Sequence, residues 1–238
     1  MRLVVGDVGG QFDALMKLVE GATEIILVGD LPDRGPKSKE VIEWAMTDPR
    51  VTTLKGNHED MMVDFYDGIK SGFYSPSDWL RNGGYQTMVS YGMPVPQGPA
   101  IDIRWAVEQA RRLIPGNHIE FLRSRPLWVE RGEAVISHAP MPHPRYLTDD
   151  LSESQGFRFD PLWFTWIWNR GTPQRLDRLQ VFGHNSGWGL LVNEEDNWIC
   201  LDDSRSEKLT ALDLDLMKIH QVSFSQPLDT PSEIDSSI

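Results

Sequence analysis

The spacing of apolar positions changes character twice along the chain. Leu3-Val4-Val5 and Ile25-Ile26-Leu27-Val28 are short unbroken apolar runs, each stopped by a glycine, Gly6 and Gly29. Runs of this length bounded by turn residues read as strands buried on both faces. A third run at 51–54 reaches Gly56 in the same way. Between these runs the spacing is helical. Phe12, Leu15, Met16 and Val19 recur at helical intervals, and 38–46 reads as a second helix with Pro36 just before it. Alternation of strand, loop and helix predicts parallel pairing with crossover helices. In such sheets, sites gather at the carboxyl ends of the strands.

From 75 to 125 the pattern is mainly helical. The clearest piece is 105–114, with breaks at Asn82-Gly83-Gly84 and at 94–99. The period then shortens. Leu127-Trp128-Val129, Ala134-Val135-Ile136, Gln180-Val181-Phe182, Leu190-Leu191-Val192, 198–201 and 208–212 read as short strands, and two of them run into histidines, Ser137-His138-Ala139 and Gly183-His184-Asn185. The stretch 226–238 is polar and interrupted by proline, and is expected to be loose. No internal repeat or Gly/Ser linker divides the chain, so 1–225 is expected to form a single α/β domain.

The 238 residues are 40% hydrophobic and include nine Trp and nine Phe, enough for a sizeable core. The net charge is -12, and no basic stripe of the kind a duplex binder carries is present, so no nucleic-acid partner is expected. The acidic balance does not exclude an anionic substrate, because bound divalent cations reverse the local field. Cys200 is the single cysteine, which excludes an intrachain disulfide and fits a reducing compartment. The first residues form too short an apolar run for a signal peptide, and no stretch approaches the roughly 18 apolar residues of a membrane span. A cytoplasmic monomer with no membrane partner is the expectation.

Three blocks follow the first three strands: Gly6-Asp7-Val8-Gly9-Gly10-Gln11, Gly29-Asp30-Leu31-Pro32-Asp33-Arg34-Gly35 and Gly56-Asn57-His58-Glu59. Asp7, Asp30, Asn57, His138 and His184 all fall just past strand ends. Carboxylates, an amide oxygen and imidazoles make a mixed donor set that suits Mn²⁺, Zn²⁺ or iron better than Ca²⁺. Two ions about 3.5–4 Å apart can share one carboxylate, and Asp30 in the middle block is the natural bridge. Alone, each acidic or amide residue would be read as a cap or turn residue, and each histidine as structural. The first block could also be a nucleotide-binding glycine turn, but it lacks the G-x-G-x-x-G spacing and would leave the other two blocks unexplained.

With these blocks, the chain resembles the phosphoprotein-phosphatase branch of the metallophosphoesterases, and within it the short bacteriophage and bacterial Ser/Thr/Tyr protein phosphatases of lambda-phosphatase type. That family reads GDxHG, GDxVDRG and GNHE, then two later histidines, where this chain reads GDVGG, GDLPDRG and GNHE, then SHA and GHN. Trp79-Leu80-Arg81-Asn82-Gly83-Gly84 and Trp168-Asn169-Arg170 match further family segments. The resemblance implies a four-layer α/β/β/α sandwich with two mixed sheets. It also implies two divalent ions, Mn²⁺ first and Zn²⁺, iron or Ni²⁺ as alternatives. Asp30, Asn57, His138 and His184 would hold one ion, and Asp7 and Asp30 the other. The family's third protein ligand of that second ion, a histidine, falls at Gly9 and is missing. His58 would protonate the leaving oxygen, oriented by Asp33, while Arg34 and Arg170 would grip phosphate oxygens, a task suited to the planar guanidinium fork.

The implied reaction is hydrolysis of phosphoserine and phosphothreonine, extending to phosphotyrosine, in a phosphoprotein or phosphopeptide, by direct attack of an ion-bound hydroxide. A nucleotide hydrolase similar to the diadenosine tetraphosphatases is the alternative enzyme; its relatives typically lack the aspartate that stands here at position 33. A pseudophosphatase that binds without turnover is the alternative that Gly9 raises, and retention of His58, Asp33, Arg34 and Arg170 weighs against it. Trp163, Phe164, Trp166 and Trp168 are expected mainly in the core, His118, His143 and His220 as structural or solvated, and Asp202 and Asp203 in an acidic turn.

Overall fold

The computed structural model describes residues 1–68, 75–94, 100–141, 166–173, 175–225 and 233–235. The alternating half of the chain folds as its pattern predicts. Strand β1 (Arg2–Val5), helix α1 (Phe12–Leu18), β2 (Glu24–Leu27), α2 (Ser38–Thr47) and β3 (Val51–Thr53) follow one another, with β1, β2 and β3 paired in parallel. Helix α3 (Asn57–Asp67) comes next, then a short helix α4 (Pro76–Trp79), a π-helical turn over Leu80–Gly84, and α5 (Tyr85–Ser90). The break at Asn82-Gly83-Gly84 is thus a local kink within helix, with Gly83 at φ 114°. After β4 (Ala100–Asp102) come α6 (Ile103–Leu113), which starts where Asp102 accepts the Trp105 N–H at 3.0 Å, and α7 (Gly116–Arg123).

The later strands are β5 (Trp128–Arg131), β6 (Ala134–Ser137), β7 (Leu179–Phe182), β8 (Leu191–Asn193), β9 (Trp198–Cys200), β10 (Lys208–Asp213), β11 (Lys218–Ser223) and β12 (Glu233–Asp235). Two mixed sheets of five strands result, ordered β11-β10-β1-β2-β3 and β5-β6-β7-β9-β8. In the first, β10 runs antiparallel to β1, with Val4 opposite Leu212. In the second, β6, β7 and β9 are parallel and β5 and β8 are antiparallel edges. Within 226–238, read from the sequence as loose, Glu233–Asp235 pairs in parallel with Ala100–Asp102. Backbone pairing there owes nothing to an apolar pattern.

Successive residues of a strand face opposite sides of its sheet, and this alternation builds the sandwich. Leu3, Val5, Ile25 and Leu27 face the helices, where they pack with Leu15, Val41, Ile42 and Met62. Val4, Ile26 and Val28 face the other sheet and meet Ile136, Val181 and Ile199. The far side of the second sheet is covered by aromatic groups, Trp128 with Trp166 and Ile167, and Phe182 with Trp198 and Trp188. The fold is therefore the expected α/β sandwich with two mixed sheets face to face. Trp163, Phe164 and His143 lie outside the described residues. Among the described residues no helix is long and apolar enough to cross a membrane.

Ile26 is fully buried between the sheets, whereas Leu216 in the β10–β11 turn is 72% exposed. Ile26→Ala is expected to cost about 2–5 kcal/mol in urea unfolding and Leu216→Ala about 0.5 kcal/mol or less. Similar losses for the two would place the inter-sheet core elsewhere.

Candidate metal centre

The parallel strands of both sheets point their carboxyl ends at one another. Asp7, Asp30 and Asn57 lie beyond β1, β2 and β3, while His138 and His184 lie beyond β6 and β7. All five side chains are buried. A sixth strand, β9, leads to Asp202, also buried, whose Oδ1 accepts the Ser204 N–H and hydroxyl at 3.2 and 2.6 Å. The chain thus assembles its site from loops that are up to 195 positions apart (7 to 202).

Nitrogen and oxygen donors converge on one point. His138 Nε2 lies 3.0 Å from Asn57 Oδ1, 3.1 Å from His184 Nδ1 and 3.4 Å from Asp30 Oδ1. Two donors each about 2.1 Å from a single ion, at angles of about 90–110°, lie about 3.0–3.4 Å apart, so this spacing fits a common transition-metal ion. Among the described residues Asp30, His138 and His184 form such a cluster. His138 Nδ1 donates to the Val28 carbonyl at 3.2 Å, which leaves Nε2 as the lone-pair nitrogen facing the other donors. Burial lowers the His138 imidazole below its usual pKa and, with His138 beside it, lowers His184 to about 2, which favours the neutral rings. Neutral imidazole is the metal-binding form.

The carboxylates behave oppositely. Burial, Asp202 and Asp30 push the Asp7 carboxyl well above its ordinary range. For Asp30, burial also works against the charge, but His138, His58 and His184 outweigh it and hold this carboxyl low. Carboxylates buried against one another are an environment that a cation would relieve. Asp7 is held by the His184 backbone N–H, which donates to its carboxylate oxygens at 3.0 and 3.2 Å. This approach requires Gly183, because a Cβ there would lie 2.0 Å from Asp7 Oδ1.

Two loops are locked together by Glu59. It accepts the N–H groups of Asp30, Leu31 and Gly56 at 2.9, 2.6 and 2.7 Å from a fully buried position. Burial and Asp30 nonetheless raise its carboxyl to about 7. His58 follows on the same first turn of α3, with its backbone N–H on Asp30 Oδ1 at 3.0 Å. Its Nδ1 sits 2.5 Å from Asp33 Oδ2, and Arg34 Nη2 lies 3.2 Å from its Nε2. Asp33 is itself clamped: Trp79 Nε1 donates to Oδ2 at 2.9 Å and the Thr87 hydroxyl donates to Oδ1 at 2.7 Å. Asp30, Asp33, Arg34 and His184 all adopt positive φ, between 50° and 78°. Such strain persists where surrounding contacts over-determine the backbone, as they do here.

The site opens into a cleft lined by Asp7, Val8, Gly9, Gln11, Asp30, Pro32, Arg34, His58, Ser204 and Phe224. Arg34 and His58 thus reach the cleft together with Asp7 and Asp30. Arg170 is exposed and donates to the His184 carbonyl at 2.7 Å; it touches the site from outside the cleft lining. Trp166 is in the core and Trp168 is half-buried, edge-on to His184 at 6.4 Å. His118 is structural, with its Nδ1 2.8 Å from the Tyr91 hydroxyl. Asp202 and Asp203, expected in an acidic turn, do lead into a turn but are buried; Asp203 accepts from Gln221 at 2.8 Å. Sequence reasoning assigned no role to Glu59, Trp79, Thr87 or Asp202. Position directly beyond a strand end was a usable signal for Asp202, as it was for the other five.

A buried carboxylate, amide and imidazole set at the facing ends of two mixed sheets, beside a cleft with histidine and arginine, is that of a metal-dependent phosphoesterase. The chain belongs to the calcineurin-like phosphoesterase family, whose model matches residues 2–184. It is 32% identical over 87 residues to serine/threonine-protein phosphatase 2 of Escherichia coli (strain K12), covering 34% of this chain and 37% of that protein. It is 35% identical over 74 residues to the symmetrical bis(5'-nucleosyl)-tetraphosphatase of Buchnera aphidicola subsp. Baizongia pistaciae (strain Bp), covering 28% and 27%. The match therefore spans only about a third of these relatives' length. Among solved structures, a putative diadenosine tetraphosphatase superposes with a TM-score of 0.56 at 16% identity, covering 94% of this chain and 93% of that one. A cold-active protein-tyrosine phosphatase of a psychrophilic Shewanella gives 0.56 at 16%, covering 93% and 80%. At such identity these likenesses speak for the fold.

Asn57→Ala or His138→Ala is expected to remove bound metal more completely than any substitution at position 9, measured as metal content per chain after dialysis. Retention of metal by both variants would dismantle the four-donor cluster.

Proposed function

We propose that this chain is a phosphomonoesterase that acts on phosphoserine and phosphothreonine in a protein or peptide, with phosphotyrosine as a further substrate, and that it works as a monomer of the lambda-phosphatase-like branch. The observation that carries this reading is the His58–Asp33 pair with its Trp79 and Thr87 clamp. A serine or threonine alkoxide is a poor leaving group, so its departure calls for a positioned acid. Two divalent ions, Mn²⁺ first, would be held by Asp30, Asn57, His138 and His184 and by Asp7 with the shared Asp30. Bound there, they would supply Lewis acidity and an acidified water.

The chain's own groups do the rest. Arg34 opens onto the cleft beside His58, where its guanidinium fork suits phosphate oxygens. In the neutral ring, Nδ1–H donates to Asp33 and Nε2 accepts from Arg34. When Nε2 gains a proton, it becomes a donor and Arg34 must turn to another acceptor, which an arriving phosphate provides. Burial disfavours the imidazolium, but Asp30 and Asp33 outweigh burial and Arg34 and raise the His58 pKa. That direction favours a protonated ring, as an acid for the leaving oxygen requires. Asp33 fixes the ring's orientation, and Arg170, anchored on the His184 carbonyl, adds positive charge nearby.

The competing reading is cleavage of a dinucleoside polyphosphate, supported by the similarity to the Buchnera tetraphosphatase. Asp33 weighs toward the phosphoprotein reading, since the resemblance places aspartate there in the protein phosphatases. Release of phosphate from a phosphoserine peptide, set beside cleavage of diadenosine tetraphosphate at millimolar Mn²⁺, decides between them. Hydrolysis of the dinucleotide alone overturns the proposal, and a folded chain that leaves even an activated aryl phosphate intact is a binder. His58→Asn is expected to lower kcat on the peptide by about 10²–10⁴-fold and on the aryl phosphate, whose leaving group needs no proton, by far less. Equal losses on both substrates would remove His58 from the acid role.

A further inference from the structure

Position 9 has no side chain, yet the loop around it is fixed. The Gly9 and Gly10 N–H groups donate to the Asp30 and Leu31 carbonyls at 2.7 and 2.8 Å, and the Gly35 N–H donates to the Gly9 carbonyl at 2.9 Å. Gly9 sits at φ 53°, and a Cβ built there meets only the Asp33 carbonyl, at 3.7 Å. The space is open, and histidine is among the residues that enter the left-handed region more readily than most. Two residues further on, Gln11 is 7% exposed and lines the same cleft as Asp7, Gly9 and Asp30. Its backbone is engaged, with the N–H on the Val8 carbonyl at 3.1 Å and the carbonyl accepting from Leu15 at 2.9 Å. Its side-chain amide makes no hydrogen bond among the described residues. The amide opens onto the cleft with no protein partner among the described residues, so its oxygen is free to serve a ligand held there.

We infer that Gln11 supplies, through its amide oxygen, the third protein ligand that position 9 lacks, and that the subsite of Asp7, Asp30 and Gln11 is consequently all-oxygen and suited to Mg²⁺ or Mn²⁺. The inference rests on the metal-dependent reading above and adds the chemistry of one subsite to it. The two subsites become unequal. One offers two imidazoles, an amide and a carboxylate, which favour Zn²⁺ or iron. The other offers only carboxylate and amide oxygens, which favour harder cations. Asp202, whose Oδ1 is occupied by Ser204, adds negative charge beside Asp7. It lies at the same edge, because Gly6 abuts the Leu201 carbonyl so closely that a Cβ on Gly6 would stand 2.5 Å from it.

The test titrates metal-stripped chain with Mn²⁺ and follows free Mn²⁺ by electron paramagnetic resonance, with folding checked by circular dichroism. Wild type is expected to take up two ions. Gln11→Ala should keep the first and weaken the second about tenfold or more, the range that even outer-shell changes reach. Gln11→Glu should tighten the second ion, and Gly9→His placed on Gln11→Ala should restore it. One equivalent of Zn²⁺ should displace one Mn²⁺ from wild type, leaving in place the ion that Gln11→Ala loses. The inference is overturned if Gln11→Ala binds both ions as wild type does; a raised KM for phosphate ester in that variant would make Gln11 a substrate contact. It is equally overturned if wild type holds a single ion at millimolar Mn²⁺, or if Zn²⁺ displaces the Gln11-dependent ion. A folded wild type that binds no metal defeats this inference and the proposed function together. Two bound ions without ester hydrolysis count against the proposed function alone.

Discussion

Everything at the centre depends on one buried carboxylate. Glu59 gathers the N–H groups of Asp30, Leu31 and Gly56 and so welds the second strand-end loop to the start of α3. Removing a charge from water costs several kcal/mol, and three charge-assisted hydrogen bonds of about 1.5–3 kcal/mol each are what offsets it. The residue is thus a scaffold in the form of an acid. It lets Asp30 hold a left-handed backbone while presenting its carboxylate to His58 and His138. Protein contacts thus fix the Asp30 end of the donor cluster.

Two kinds of chemistry are laid side by side in the cleft. Imidazoles whose pKa burial lowers come from the second sheet, and carboxylates crowded by one another come from the first. The hydrogen-bonded pair of His58 and Asp33 stands on the first sheet's side, supported from the helical layer by Trp79 and Thr87. The segment from Trp79 to Thr87 therefore connects the helices to the chemistry. The π-helical turn at Leu80–Gly84 brings the Gly83 carbonyl onto the Arg34 N–H at 3.2 Å.

Much of this was legible in the chain. Short apolar runs closed by glycine located β1, β2 and β3, and apolar spacing located α1 and α2, because those elements bury continuous apolar faces. Asp7, Asp30, Asn57, His138 and His184 were readable as one group because each follows such a run. Helix α3 was not, since its first turn is Asn-His-Glu-Asp, polar residues buried for the sake of the site, and polarity at that position mimics a loop. Strand β11 was hidden for a different reason. As an edge strand it alternates partly buried with exposed positions in Lys-Ile-His-Gln-Val-Ser, and takes its place from pairing with β10. Glu59, Trp79 and Thr87 act across about 30 to 50 positions of sequence, a separation at which local pattern carries no signal.

The order of strands in the first sheet bears on how such a protein is made. β1, the strand that leads to Asp7, is flanked on one side by β2 and on the other by β10, which lies more than 200 positions later. A nascent chain extended only through α3 would carry Asp7, Asp30 and Asn57 but neither His138 nor His184, and β1 would lack its antiparallel neighbour. The four-donor cluster is therefore incomplete until β6 and β7 have delivered their histidines. A donor set split between the first third and the last half of the chain thus reports on the folding of both sheets together.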